Sequence, residues 1–432
     1  MNRKILKLAI PNIISNITVP LLGLVDTALM GHLESEVYIG AIALGGMIFS
    51  FVFWGFGFLR MGTTGFTAQA YGKKDAEETF FILMRSLGVA LFGALVILVL
   101  QYPIAECSFY LLSGSEEVEK QAQSYFYIRI YAAPATISLY AITGWYLGRQ
   151  NAQVPLLISL VVNVANILLN LYFVRMLGLK AEGVAWGTLG AQYIGLILAL
   201  WLLWAYQRKL GKYWHPGRIF QKAALVEFFR VNNDILIRTL VLLFTFSFFY
   251  AESARFGDKM LAVNSLLLQF NIMMAYAIDG FAFAAESIIG EYIGARERNL
   301  LKKSIHRIFY LGMLLALGFS LVYGLFYAPI LAVLTNQEGI IQLSYQFVAW
   351  VIIAPLINSP CFIWDGIYIG ATASRAMRNS MLLATFLVFF PTYYLSVGSM
   401  DNHALWLAMS LFMISRGIGL YYLSKKHIYF FE

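Results

Sequence analysis

The 432-residue chain is 60% hydrophobic and 12% charged, and it carries a formal net charge of +8. A soluble globular domain has about a quarter of its residues charged, so this composition excludes a protein whose whole surface faces water. Residues 86–105 and 155–174 contain no charged side chain, and about 20 apolar residues are enough for a helix to cross a bilayer. The chain is therefore predicted to be an all-α polytopic membrane protein.

Apolar segments of this kind recur along the whole chain and predict about twelve transmembrane helices. In chain order they cover residues 9–31, 38–68, 82–105, 123–147, 154–174, 183–206, 228–253, 261–292, 306–328, 343–369, 380–398 and 403–424. The longest polar connection follows residue 206, and it is basic.

Lysine and arginine cluster in alternate loops, which is the pattern of the positive-inside rule. The clusters lie near residues 3–7, 73–85, 208–230, 296–307, 375–378 and 425–426. This alternation predicts that both termini lie in the cytoplasm, which requires an even number of spans. Because the positive charge encodes orientation, no nucleic-acid partner is expected.

An internal repeat relates the two halves of the chain at an offset of 222 residues. The recurring residues are Gly72 with Gly294, Gly144 with Gly366, Tyr146 with Tyr368, and Gly148 with Gly370. Six spans in each half give both halves the same orientation, and such parallel repeats are typical of transporters. We predict an N-terminal bundle at 1–206, a cytoplasmic linker at 207–227 and a C-terminal bundle at 228–432.

A carboxylate lies deep in the first predicted span, in the stretch LVDTALMGHL. An acid at mid-helix costs about 2.5–3.5 kcal/mol on insertion scales, and such acids are by default functional. Hydrocarbon favours the neutral form, so Asp26 can take up a proton on one side of the membrane and lose it on the other. The alternative is a structural carboxylate held by local hydrogen bonds.

Three asparagines, Asn163, Asn166 and Asn170, share one face of the fifth predicted span because their spacings are three and four. They can hydrogen-bond Asp26 or a substrate. Contact between helices explains the spacing equally well, so both roles stay open.

The second half contains two further deep acids, Asp279 and Asp365, and Glu286 lies seven residues after the first of them. Both aspartates are candidates for cation coupling. The alternative is a buried carboxylate that fixes helix packing.

Two acid–base pairs are predicted to be local and structural, namely Glu252 with Arg255 and Asp234 with Arg238. Arg60 is expected to extend towards the membrane surface.

Five aromatic residues are candidates to line a cavity for flat cationic compounds, with core or lipid contact as the alternative. They are Trp54, Trp145, Tyr276, Trp364 and Tyr368.

Enzyme signatures are lacking in the sequence, which contains no Walker loop, no GxSxG and no HExxH motif. The five histidines are scattered, so neither a metal site nor a cofactor is expected. A transporter of this kind must draw its energy from an ion gradient.

Several segments resemble the MATE family of multidrug and toxic compound extrusion transporters, in its DinF-like branch. They are VDTALMGHL, IRTLVLLFTFSFFYAESARFGD, AYAIDGFAFAAESIIGEYIGARE and WDGIYIGATASRAMRNSM. The resemblance covers essentially the whole chain. It implies twelve helices in two six-helix bundles around a V-shaped cleft. We expect a monomer in the bacterial cytoplasmic membrane.

The resemblance also implies antiport of toxic organic cations against protons or sodium, and it assigns roles to four residues. Asp26 matches the first-span coupling aspartate, and Pro11 matches the proline at which the first helix bends. Asp365 matches the tenth-span aspartate of the NorM-like branch, and Asp279 matches the eighth-span aspartate of the DinF-like branch.

One departure from the family pattern concerns the fifth span, where relatives often have N-x-x-x-D and this chain has Asn166 and Asn170. An amide cannot titrate, so Asp26 is expected to act alone or with amide partners.

Besides proton or sodium antiport, two other functions remain alternatives. A lipid-linked glycan flippase needs a strongly cationic cavity, and only Arg60 and Arg238 were identified as cations inside the spans. A membrane enzyme needs convergent histidine or cysteine residues, and the sequence shows no such set.

Overall fold

The computed structural model describes residues 1–31, 37–112, 115–207, 213 and 215–429. Every regular element within these ranges is helical, as expected for segments that must satisfy their backbone hydrogen bonds internally in lipid. The helices of the first half are α1 Asn2–Gly31, α2 Val37–Trp54, α3 Gly57–Gly72, α4 Ala76–Val99, α5 Gln101–Leu111, α6 Glu116–Arg129, α7 Ala133–Gly148, α8 Gln153–Leu171 and α9 Ala181–Gln207.

The second half begins with a short helix in the linker region and continues with longer ones. These are α10 Pro216–Ile219, α11 Lys222–Arg255, α12 Asp258–Gly294, α13 Arg298–Leu334, α14 Glu338–Ser344, α15 Val348–Gly370, α16 Ser374–Leu383, α17 Phe390–Met400 and α18 His403–Ser424. Short π-helical segments extend α8 and α18 and join α16 to α17.

Ten helical segments of the described residues are long and apolar enough to cross a membrane. They correspond to ten of the predicted spans, and the predicted all-α membrane fold is confirmed. The segments at 9–31 and 123–147 are not among the ten. The first belongs to α1, in which several side chains, including that of Asp26, lie outside the description. The second lies in α6 and α7, which a 3-10 turn at Ile130–Ala132 joins.

Two compact units make up the chain. One unit is Ile14–Phe228, and the other combines Met1–Ile13 with Phe229–Glu432. Helices α1 and α11 therefore each contribute residues to both units. The predicted bundle boundaries at 206 and 228 stay a prediction.

The repeat appears as equivalent close approaches between helices within each unit. A Cβ atom on Gly144 would lie 2.4 Å from the carbonyl oxygen of Arg60, and one on Gly366 would lie 2.3 Å from that of Ala282. Arg60 and Ala282 are also 222 residues apart. Helix α7 thus packs on α3 as α15 packs on α12, and glycine permits both contacts.

Backbone turns repeat as well. The residues after α3 and α12 include Lys74 with a φ of 58° and Arg296 with a φ of 57°. Those after α7 and α15 include Gln150 with a φ of 63° and Thr372 with a φ of 52°. Positive φ is uncommon outside glycine, so its recurrence at the same offset shows that the two halves have the same local architecture.

The start of α1 is fixed to α12. The Lys4 ammonium forms an ion pair with Glu291, and its Nζ lies 3.3 Å from the Tyr292 hydroxyl. Burial alone lowers the pKa of Lys4, but the hydrogen bond and charge of Glu291 outweigh it, so the pKa is raised above its ordinary value. Lys4 therefore stays charged at neutral pH.

The described part of the linker packs against α4. The Arg85 Nε donates to the Ile219 carbonyl at 2.7 Å, and its Nη1 donates to Glu78 at 2.6 Å. Ile219 is buried and packs with Phe80 and Phe81. A cation at the carbonyl end of a helix satisfies carbonyl groups that have no partner within the helix.

Candidate functional site

Asp365 lies buried in α15 between two buried arginines from other helices. Its Oδ2 accepts a hydrogen bond from Arg416 Nη2 of α18 at 2.6 Å, and it also forms an ion pair with Arg238 of α11. Arg416 is only 1% exposed and Asp365 is 5% exposed. Three helices therefore meet at one carboxylate.

These three side chains together carry a formal charge of +1, which is unusual for a buried site. Asp365 Oδ1 and Arg238 Nε have no hydrogen-bond partner among the described residues. A cation that is to bind Asp365 has to compete with two guanidinium groups. The contacts favour a structural role, and the predicted coupling role of Asp365 stays a prediction.

The prediction that Asp234 pairs with Arg238 is wrong. Asp234 instead accepts from Arg378 Nη1 at 2.5 Å and from the Ser374 hydroxyl at 3.0 Å. Arg238 is drawn to Asp365 because burial of both groups makes a direct ion pair the favourable arrangement.

The predicted local pair of Glu252 and Arg255 is confirmed, with a separation of 2.7 Å between Oε1 and Nη1. The buried Tyr393 hydroxyl donates to the other carboxylate oxygen at 2.7 Å. Glu252 therefore also links α11 to α17.

Asp279 is half-buried in α12, and Tyr276, one turn earlier, lies close enough to interact electrostatically with it. The next residue is at a close helix contact. A Cβ atom on Gly280 would lie 2.8 Å from the Ala9 carbonyl oxygen and 2.3 Å from a side-chain carbon of Ile13. Asp279 is thus adjacent to the part of α1 that surrounds Pro11.

Helix α1 runs through Pro11 as one continuous helical segment. Proline cannot donate the hydrogen bond to the residue four positions earlier. The buried Asn12 side chain donates to the Leu8 carbonyl at 2.9 Å. It thereby adds a hydrogen bond next to the one that Pro11 cannot form. A bend at Pro11 stays a prediction.

The asparagines of α8 form part of a polar chain to α9. Asn170 Nδ2 donates to Asn166 Oδ1 at 2.8 Å, and Asn166 Nδ2 donates to the Thr188 hydroxyl at 3.0 Å. Both amides are 1% exposed. A Cβ atom on Gly187 would lie 1.9 Å from Asn170 Oδ1, so glycine leaves the space for this amide.

Asn163 differs from the other two asparagines. Its Nδ2 is buried and has no hydrogen-bond partner among the described residues. The side chain of Asp26 lies outside those residues. A role for the asparagines at Asp26 or at a substrate therefore stays a prediction beside their contact with α9.

Three of the five candidate aromatic residues lie in the packed interior. Trp145 donates through Nε1 to the Thr79 carbonyl at 2.8 Å, and the Tyr368 hydroxyl donates to the Leu420 carbonyl at 2.7 Å. Trp364 is 4% exposed. Trp54 is 52% exposed and Tyr276 is half-buried, so these two are the more accessible candidates.

No group of three or more histidine, cysteine, aspartate or glutamate side chains placed to hold a metal ion occurs in the described ranges. Asp234, Glu252 and Asp365 each form an ion pair with an arginine.

Sequence reasoning missed Arg416 and Thr188. Arg416 stands alone among apolar residues of the last predicted span, and an isolated cation inside a span is a signal that could have found it. Thr188 has no comparable signal because hydroxyl residues are common in membrane helices.

Comparison with known proteins bears on both halves of the chain. The MatE family model matches residues 11–172 and 235–395. The DNA damage-inducible protein F of Escherichia coli is 38% identical over 97% of this chain and 91% of its own length. The probable multidrug resistance protein NorM of Thermotoga maritima is 22% identical over 80% of this chain and 74% of its own length.

A solved structure of a MATE protein in the straight conformation has the same fold. It superposes with a TM-score of 0.88 at 18% identity and covers 98% of this chain and 95% of that chain. At that identity the likeness concerns the fold alone. Membership of the family rests on the family model and on the Escherichia coli relative. The chain therefore belongs to the MatE family of multidrug and toxic compound extrusion transporters, in its DinF-like branch.

Proposed function

We propose that the protein is a proton-coupled antiporter of the bacterial cytoplasmic membrane that exports amphipathic, mostly cationic organic compounds. Membership of the family and the name of the Thermotoga maritima relative support multidrug export. Both termini lie in the cytoplasm in this proposal, as the distribution of lysine and arginine predicts.

The observation that carries this assignment is the pairing of Asp365 with Arg238 and Arg416. Two buried arginines already bind this carboxylate, so a proton or sodium ion has to bind there against the positive charge of both guanidinium groups. Coupling is therefore assigned to Asp26, with Asp279 as the second candidate. Sodium coupling through Asp279 or Asp365 is the nearest alternative.

In this mechanism Asp26 alternates between a charged form that attracts a cationic substrate and a neutral form that releases it. The two halves of the chain expose Asp26 to opposite sides of the membrane in turn. The asparagine at position 170 cannot accept a proton, so the first half contributes one titrating carboxylate to each cycle. Pro11 provides the place where α1 bends.

We expect Asp26→Asn to abolish drug-driven proton movement in proteoliposomes and to remove the pH dependence of transport, because an amide does not titrate. A fluorescent organic cation and an internal pH dye report the two fluxes. The matched control is Asp258→Asn, which removes an exposed acid at the start of α12 and should behave as the wild type. Unchanged pH dependence in Asp26→Asn would refute the assignment.

A second set of measurements separates the coupling ions. Proton coupling predicts equal transport at fixed pH with and without sodium, in both the wild type and Asp279→Asn. A sodium requirement that Asp279→Asn abolishes would select the sodium alternative.

Asn170→Asp is expected to raise the number of protons taken up per exported molecule. A neutral aspartic acid at position 170 can donate to Asn166 Oδ1 as the amide does now, so its neighbour favours the protonated form. Proton uptake and substrate flux, measured together over a pH series, give the ratio. The control Asn170→Ser adds no titrating group, and an unchanged ratio in Asn170→Asp would contradict the expectation.

The flippase alternative gains no support from the buried arginines. Arg238 and Arg416 share Asp365 as their partner, and this ion pairing leaves them poorly available for a pyrophosphate group.

A further inference from the structure

One exposed face of α13 carries cations at one end and apolar side chains along the rest. Lys303, Arg307 and Tyr310 are exposed along it, and three leucines with exposures between 45% and 57% continue it. They are Leu314, Leu317 and Leu321. Because the spacings are three and four, all six side chains lie on the same side of the helix.

The dimensions of this face match one leaflet of a bilayer. Leu321 lies eleven positions after Tyr310, which corresponds to about 16 Å along a helix. Half of the hydrocarbon core measures about 15 Å. Cations, an aromatic residue and leucines therefore follow one another as headgroup, interface and acyl chains do.

The cations of this segment outnumber its acids by five to one. Residues 296–307 contain Arg296, Arg298, Lys302, Lys303 and Arg307, and their one acid is Glu297. No ion pair involving these cations is found among the described residues. Arg298 lies in the first turn of α13, where the helix dipole disfavours positive charge. Neither an ion pair nor the helix dipole therefore accounts for these cations.

The repeat supplies an internal comparison, because α4 is the counterpart of α13 at the 222-residue offset. Phe92, Leu95 and Val99 are exposed on α4 at the positions of the three leucines. At the positions of Lys303 and Arg307, however, α4 has Phe81 and Arg85, which are 1% and 4% exposed.

The reason for this difference is the linker. Arg85 binds the carbonyl oxygens of Ile219 and Arg218 and the carboxylate of Glu78, while Ile219 covers Phe81. Arg307 is the counterpart of Arg85, and it is exposed. The arginine at this repeat position is thus surrounded by oxygen acceptors in the first half of the chain, as Arg85, and is exposed in the second half, as Arg307.

We propose that this face of α13 binds an anionic phospholipid, with its phosphate on Lys303 and Arg307 and its acyl chains along the three leucines. Phosphate oxygens supply the acceptors that carbonyl and carboxylate oxygens supply to Arg85. The positive-inside rule alone requires cations on one side of the membrane. It does not require them to be in line with a lipid-facing stripe.

The test uses the purified full-length protein in vesicles of phosphatidylcholine containing phosphatidylglycerol, followed by transfer to mild detergent and native mass spectrometry. The variant is Lys303→Gln with Arg307→Gln. At about 1 kcal/mol for each cation near an anionic surface, we expect phosphatidylglycerol retention to fall roughly 10- to 30-fold. Phosphatidylcholine retention should not change.

The matched control is Lys73→Gln with Lys74→Gln, which removes the same charge from exposed positions at the repeat-related turn before α4. We expect this control and the conservative pair Lys303→Arg with Arg307→Lys to retain phosphatidylglycerol as the wild type does. Equal losses in both glutamine variants would show a non-specific charge effect and overturn the proposal. So would full retention in the α13 glutamine variant.

Discussion

Asp365→Asn is expected to destabilise the protein by about 3–5 kcal/mol, the usual effect of removing one partner from a buried ion pair. The carboxylate is the shared partner of Arg238 and Arg416, so its loss leaves two guanidinium groups buried without a counter-charge. The temperature at which the detergent-solubilised protein loses its monodisperse elution peak measures the effect.

Variants of the arginines provide the control. Arg416→Met leaves a neutral pair of Arg238 and Asp365, so it should destabilise the protein less than Asp365→Asn does. Asp365→Asn combined with Arg416→Met removes one of the two unpaired cations and should recover part of the loss. A wild-type unfolding temperature in Asp365→Asn, together with altered transport, would instead support the cation-coupling role predicted for Asp365.

Gly144→Ala and Gly366→Ala are expected to have similar effects, in a range of about 1–3 kcal/mol or more. In each case the new methyl group would lie 2.3–2.4 Å from a backbone carbonyl oxygen of the neighbouring helix. Backbone atoms cannot rotate away as a side chain can, so two helices must separate in each unit. Thermal unfolding in detergent, with transport assayed in parallel, measures the change.

Gly318→Ala serves as the control because no atom beyond the adjacent helix backbone lies within 4 Å of the added carbon. Alanine also favours a helix over glycine by about 1 kcal/mol, so this variant should be neutral or slightly more stable. If Gly144→Ala and Gly366→Ala unfold at clearly different temperatures, the two close helix contacts are not energetically equivalent.

The spans and the repeat were predictable because they depend on local or periodic features. Hydropathy identifies a helix without any knowledge of its neighbours. The glycines at positions 144 and 366 mark the offset because a tight helix crossing tolerates no side chain. The pair of Glu252 and Arg255 was also predictable, since three residues place both groups on adjacent turns.

The surroundings of the acids were not predictable in the same way. Asp365 is bound by residues 127 positions before it and 51 positions after it, and no spacing rule relates positions so far apart. The i,i+4 rule even assigned the wrong partner to Arg238, because at a buried site the tertiary ion pair outweighs a local contact worth about 0.2–0.5 kcal/mol.

The asparagines illustrate an intermediate case. Their spacing correctly places Asn166 and Asn170 on one helix face, and the two amides are hydrogen-bonded to each other. The hydroxyl of Thr188 completes the chain from α9, and it has no sequence signature that separates it from other threonines.

The shared helix α1 has a consequence for biosynthesis. The unit that includes Met1–Ile13 also contains Phe229–Glu432, so residues 1–13 leave the ribosome long before the partners with which they pack. At 5–20 residues per second this delay lasts roughly 10–40 s before the second half even begins to emerge. A gene split within residues 207–227 would therefore yield a second fragment that lacks its own N-terminal segment, and co-expression of both fragments should be required for a stable product.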